Sequence, residues 1–198
     1  MKEVSAQDLF TLIAAVRRIL VGSPPLVDGI SRTWNLYLVA GTSHLAEGWR
    51  DRVSHLELAG DAGGAAVVED AVREAAAALD LRVVWESPAD VIPLPVGWAE
   101  RARPVRFAGA GGSLEVLHFD PYSVVLRLVA RGDEPDYVKA LEYHRHGWVD
   151  LAQLETRLAA VVPRFTSETL AQDPAEFRRK FRGLRQLIAS DTAQRRPA

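Results

Sequence analysis

The chain of 198 residues contains no cysteine, which excludes a disulfide framework, a thiolate metal site and thiol catalysis. It has no strong charge of either sign. Its 24 Lys and Arg against 26 Asp and Glu leave a formal net charge of -2, which argues against a wholesale polyanion binder and leaves room only for a local basic face. Long apolar runs are missing too, since the hydrophobic stretches are short and interrupted, so no membrane span and no membrane partner are expected. The opening Met1-Lys2-Glu3-Val4 lacks the basic-then-apolar layout of a signal peptide. Neither an internal repeat nor a low-complexity linker is present. These absences point to a cytoplasmic globular protein, and its 48% hydrophobic and 25% charged residues are ordinary for one. At this length one compact domain with a short appendage is the natural expectation.

The apolar periodicities set out the elements. Ser5 and Asp8 form a capping-box pattern ahead of a helix whose Leu9, Leu12, Ile13, Val16 and Leu20 share one face. Leu36 to Val39 suits a buried strand that turns at Ala40-Gly41-Thr42-Ser43 into a brief helix through Trp49. From Val53 to Leu58 the alternation predicts a second strand with Val53, His55 and Glu57 on one side. After a loop at 60–64 comes an alanine-rich helix with the stripe Val68, Ala71, Val72, Ala75 and Leu79. A strand over 81–85, a proline-containing loop over 87–103, and strands over 105–108 and 114–119 flanking the turn at 109–112 complete the first part. Four helices are then predicted, over 121–130, 135–146, 151–162 and 174–190, the last capped by Asp173 with Pro174 at its first position and Glu176 completing the box. This order predicts an α/β (α+β) fold: a mixed sheet with flanking helices over 1–120, a helical part over 121–190 packed on it, and a flexible tail over 191–198.

Two places suit chemistry. At Gly41-Thr42-Ser43 a small residue at a strand-to-helix turn lets a phosphate approach free N–H groups, although glycine in such turns is more often structural. On the next strand, His55 and Glu57 lie two apart and leave the same face, so they can share a metal, or form an ordinary strand face if no further ligand joins them. His118 would make that a His-Glu-His set if its strand were adjacent. His144 and His146 are read as surface histidines, because residues two apart on a helix diverge. The basic run from Arg178 to Arg185 is read first as a solvated face, since Phe177 and Phe181 belong to the apolar stripe and leave no platform for stacking bases.

A strand ending in glycine and a small residue, a short helix, and a strand with paired carboxylates together resemble the nucleotidyltransferase fold. The chain looks most like the small prokaryotic nucleotidyltransferases of toxin–antitoxin and abortive-infection loci, including AbiEii-type relatives. Their Val-Gly-Gly-x-Ala-Leu and Asp-x-Asp runs correspond here to Val39-Ala40-Gly41-Thr42-Ser43-His44-Leu45 and to His55-Leu56-Glu57. Downstream, Arg127, Arg131-Gly132-Asp133-Glu134-Pro135-Asp136, Lys139 and His146-Gly147-Trp148-Val149-Asp150 follow the family's later pattern, so the resemblance spans roughly 30 to 160.

The resemblance implies nucleotide binding by Gly41, Thr42 and Ser43, with Arg127 at the family's lysine and Lys139 at its second late aspartate. The metal positions fall on His55 and Glu57. Glu115 is a candidate third carboxylate, ahead of Asp120 and Asp61. Magnesium wants hard oxygen ligands near 2.0–2.1 Å, whereas imidazole favours softer transition metals, and the extra methylene of glutamate moves its carboxylate by about 1.5 Å. The reading is therefore a nucleotidyltransferase-type protein with weak or absent magnesium-dependent transfer, serving as a nucleotide-binding or regulatory, protein-partner component. The alternative is an active enzyme in which Glu57 and Glu115 hold magnesium or manganese and a nucleotide passes from an NTP to an RNA, protein or small-molecule acceptor.

Overall fold

The structure, a computed structural model, describes residues 3–21, 33–60, 65–87, 89–106, 114–165 and 173–195. It is mixed α and β, and it divides into two compact units. The first takes residues 1–86 and 103–119, the second residues 87–102 and 120–198.

In the first unit, strand β1 (Val4–Ser5) leads into α1 (Ala6–Val21). Asp8 accepts from the Ser5 amide at 2.9 Å and from the Ser5 hydroxyl at 2.6 Å, and its own amide donates back to that hydroxyl at 3.3 Å. This reciprocal box satisfies donors that a helix start leaves open. Strand β2 (Trp34–Leu38), helix α2 (Gly41–Ala46), strand β3 (Arg52–Val53), strand β4 (Leu56–Gly60), helix α3 (Ala65–Ala78) and strand β5 (Val83–Trp85) follow, with β6 (Arg103–Pro104) and β7 (Leu114–His118) completing the unit.

Five strands form a mixed sheet in the order β5-β4-β2-β7-β6, and β1 pairs separately with β3. β2 is central, antiparallel to β4 (Leu38 opposite Leu58) and parallel to β7 (Leu38 opposite His118). Because facing residues share a side, Trp34, Leu36, Leu38, Leu56, Leu58, Leu114 and Val116 point one way. They meet the buried stripes of α1 (Leu9, Leu12, Ile13, Val16, Leu20) and α3 (Val68, Ala71, Val72, Ala75) in one apolar core.

Two expected strands are corrected. The run from 53 to 58 is not continuous: β3 ends at Val53, Ser54 and His55 form a bend, and β4 begins at Leu56. Val53 pairs with Val4, an alliance that the two-residue β1 gives no periodicity to reveal. Of the strand expected over 105–108, residues 105 and 106 carry no strand and 107 and 108 lie outside the described residues; β6 sits earlier, at Arg103–Pro104, its Pro104 on a sheet edge where a missing N–H is tolerated. Of the loop expected at 60–64, Gly60 is instead the last residue of β4, while 61–64, Asp61 among them, and the turn at 109–112 lie outside the described residues.

The second unit is helical: a 3-10 turn (Ala99–Arg101), α4 (Pro121–Arg131), α5 (Glu134–Arg145), α6 (Leu151–Val161) and α7 (Pro174–Gln194). α4 is its most buried helix, with only Arg127 and Arg131 partly exposed along its length. Asp173 caps α7 by accepting from the Ala175 amide at 2.9 Å, while Glu176 turns to Lys180 at 3.4 Å. The helix runs on to Gln194, past the expected start of a tail at 191, and Thr192 bonds back to the Ile188 carbonyl at 2.8 Å. None of the described helices is long and apolar enough to cross a membrane.

Candidate functional site

The turn after β2 holds a residue in an unfavourable backbone conformation. Ala40 sits at φ 43° and ψ -113°, a backbone region that suits glycine and costs another residue about 1–3 kcal/mol. It occupies the place where the family pattern has its first glycine. Gly41 then begins α2, and its amide donates to Glu57 Oε2 at 2.8 Å. The carboxylate reaches this point because Val39 donates to the Glu57 carbonyl at 3.0 Å, continuing the β2–β4 ladder past Leu38. Glu57 is 4% exposed. Its own amide donates to the Thr42 hydroxyl at 2.6 Å, and the Ser43 hydroxyl donates to the Leu38 carbonyl at 2.9 Å.

The groups that would cradle a phosphate and the carboxylate that would hold a metal therefore bond to one another. Glu57 Oε2 fills the acceptor position at this turn, and Thr42 and Ser43 are wholly buried beside it. A buried carboxylate with a backbone donor in place is stable there; without one it would carry a desolvation cost of a few kcal/mol.

The remaining candidates are dispersed. Glu115 stands opposite Asn35 on β2, four residues along from Val39. It shares the sheet face of Tyr37 and Glu57, but the offset amounts to roughly 13 Å along the strands and about two spacings of 4.8 Å across them. Glu115 is exposed and Glu57 is buried. Two carboxylates on the order of 16 Å apart at their backbones cannot share ions that sit about 4 Å apart, so the pairing of Glu57 with Glu115 is overturned. His55, half-buried in the bend, pairs its Nδ1 with the Ser54 hydroxyl at 2.9 Å. The strand alternation that was to put it beside Glu57 does not exist at that point. His118 lies on β7, with β2 between it and β4, and on the Leu58 side of the sheet, which removes the His-Glu-His set. Among the described residues no three His, Asp or Glu side chains converge as metal ligands. Arg127 and Lys139 are half-buried on α4 and α5 of the helical unit.

Two polar centres escape sequence reasoning. In the first unit, His118 is 1% exposed, with Nε2 at 2.9 Å from Glu47 Oε1. Burial, then the positive charge of Arg103 and the nearness of His44, push its pKa down to about 3. At neutral pH the ring is thus uncharged and its Nε2–H donates to the Glu47 carboxylate. In the second unit, Asp120 is fully buried and takes Arg101 in a two-pronged pair, Nε to Oδ1 at 3.0 Å and Nη2 to Oδ2 at 2.8 Å. It also accepts from the Ser123 hydroxyl at 2.7 Å and from the Tyr122 and Ser123 amides at 3.3 Å, capping α4. Asp120-Pro121 is itself a readable helix start, but an arginine 19 residues earlier carries no local signal. His144 is half-buried, its Nδ1 bonded to the Val149 carbonyl at 3.1 Å, which corrects its reading as a surface residue.

Comparison with protein-family models, with curated proteins and with solved structures finds no match to this chain.

Proposed function

We propose that this chain is a nucleotidyltransferase-like scaffold without magnesium-dependent transfer, acting in the cytoplasm as a partner-binding, regulatory component, in a setting such as a toxin–antitoxin or phage-defence pair. The single observation that carries this reading is the 2.8 Å hydrogen bond from the Gly41 amide to Glu57. It joins the two halves of the would-be catalytic apparatus, the phosphate turn and the metal carboxylate, and leaves each serving the other. The adjacency of β2 and β4 in one sheet supports the likeness to the nucleotidyltransferase pattern, in which the glycine turn and the carboxylate strand are neighbours. The wide separation of Glu57 and Glu115 supports the loss of transfer.

A second reading is that nucleotide binding persists without chemistry. The observation favouring it is the strained backbone of Ala40, because strained turns persist most often where a site needs them. Thermal unfolding with each NTP, with and without magnesium or manganese, separates the readings. A bound ligand at about 100 times its dissociation constant adds roughly 2.7 kcal/mol. The partner-binding reading expects no shift with any nucleotide. A metal-independent shift establishes the second reading, and a metal-dependent shift abolished by Glu57→Ala restores the enzyme.

A further inference from the structure

One outward stripe of α7 is left unused by the internal bonding of the helical unit. The helix holds Arg178, Arg179, Lys180, Arg182 and Arg185 against Glu176 and Asp191. Five basic residues against two acidic ones, in a chain of net charge -2, leave -5 on the remainder, so positive charge is concentrated here. Lys180 is engaged within the unit, where its Nζ donates to the carbonyls of Ala130 at 2.7 Å and Arg131 at 3.1 Å and closes the end of α4. Gly132, at φ 78°, makes room for it, since a Cβ there would come within 2.9 Å of the lysine stem. Arg178, Arg182 and Arg185 differ. They follow an i, i+4, i+7 spacing, so they form one line along the helix, about a quarter turn round from the buried Phe177, Phe181, Leu184 and Ile188. All three are exposed. Arg185 meets Glu155 at 3.7 Å with both side chains largely in solvent, a pair of little strength. Arg178 and Arg182 form no ion pair with the described residues.

We propose that this stripe binds the phosphodiester backbone of duplex DNA without sequence preference. Seven residues of helix span about 10 Å. A line of that length lies within reach of several phosphates of the duplex backbone, and each guanidinium can meet one. Arginine meets phosphate with two parallel donors. Single-stranded nucleic acid is the poorer fit, because the aromatic residues of α7, Phe177 and Phe181, are buried and leave no platform for unstacked bases. The inference stands on the helical unit alone and does not depend on the reading of the Gly41 turn.

Fluorescence anisotropy of the full chain with a labelled mixed-sequence DNA of about 20 base pairs, titrated between about 50 and 200 mM salt, tests it. Three phosphate contacts predict a slope of log affinity against log salt of about -2.7, falling to about -0.9 in R178Q/R182Q. R178K/R182K, which keeps the charges, should retain the steep slope. R18Q/R73Q, an equal loss of charge from exposed arginines of α1 and α3, should leave it unchanged. The proposal is overturned by salt-independent or undetectable binding to the duplex, or by equal slopes in the wild type and R178Q/R182Q. Tighter binding to single-stranded DNA, duplex RNA or polyglutamate than to duplex DNA would overturn it as well, the last pointing to an acidic protein.

Discussion

Glu57 and Asp120 are both carboxylates buried at the start of a helix, yet they are held differently. Asp120 caps its own helix α4 and is clamped by the guanidinium of Arg101, so its charge is neutralised by a cation built into the same unit. Glu57 reaches across from β4 to the start of α2, where the Gly41 amide donates to its Oε2 at 2.8 Å. The first arrangement is an anchor within the helical unit: it ties the 3-10 turn at Ala99–Arg101 to the start of α4, and Arg101 also bonds the Val96 carbonyl of its own segment at 2.9 Å. The second occupies the spot where the likeness to nucleotidyltransferases would place metal and phosphate. Burial of a carboxylate is therefore no mark of catalysis by itself: Asp120 caps its own helix, and Glu57 joins a strand to the helix of another segment.

The comparison can be broken first at Asp120. Asp120→Ala strands a partly buried guanidinium and removes the α4 cap, so chemical denaturation should report a loss of about 3 kcal/mol. A loss below about 1 kcal/mol would demote Asp120 from anchor to ordinary cap.

Acid is the next probe, through His118. Its folded pKa lies near 3, below the ordinary 6.5. The unfolded chain takes up a proton below pH 6.5 that the folded chain refuses until about pH 3. Stability contributed by the neutral ring is therefore complete above pH 6.5 and declines as the pH falls from there, by up to about 1.4 kcal/mol per pH unit. Between about pH 6.5 and 5 the wild type should lose about 2 kcal/mol relative to His118→Gln, measured as the difference between their denaturation midpoints. Parallel pH curves for the two proteins would contradict this.

Glu57 should respond more gently. Glu57→Ala leaves the Gly41 amide without that acceptor and should cost about 1–3 kcal/mol, whereas Glu57→Gln keeps an acceptor oxygen and should cost less than about 1 kcal/mol. Equal losses in the two variants would mean that the charge, not the hydrogen bond, holds this turn. The smallest effect is a gain: Ala40→Gly relieves the backbone at φ 43° and should raise stability by about 1 kcal/mol, net of the extra freedom of glycine when unfolded. Thermal unfolding that shows Ala40→Gly no more stable than the wild type would remove strain from this turn.

Much of the fold could be read from periodicity. The stripes of α1 and α3, the buried run of β2 and the starts of α4 and α7 are patterns of spacing that one element satisfies alone. What escaped depends on partners distant in sequence. The bend at Ser54-His55 arises because β3 pairs with β1 while β4 pairs with β2, so one alternating run serves two sheets. The Gly41–Glu57 contact was legible only in part. Gly41 and Glu57 stand out individually, but the closing of one upon the other depends on strand register. The distance from Glu57 to Glu115 follows from the four-residue offset between Asn35 and Val39 and from β2 lying between β4 and β7, and alternation within a strand is silent about register and strand order.

The most direct test of the account is a transfer assay with the full chain, radiolabelled NTPs, magnesium or manganese, and total RNA and protein as acceptors. The closed Glu57–Gly41 turn predicts no labelled product above that of Glu57→Ala under either metal. Robust labelling by the wild type that disappears in Glu57→Ala would contradict it and make Glu57 a metal ligand after all.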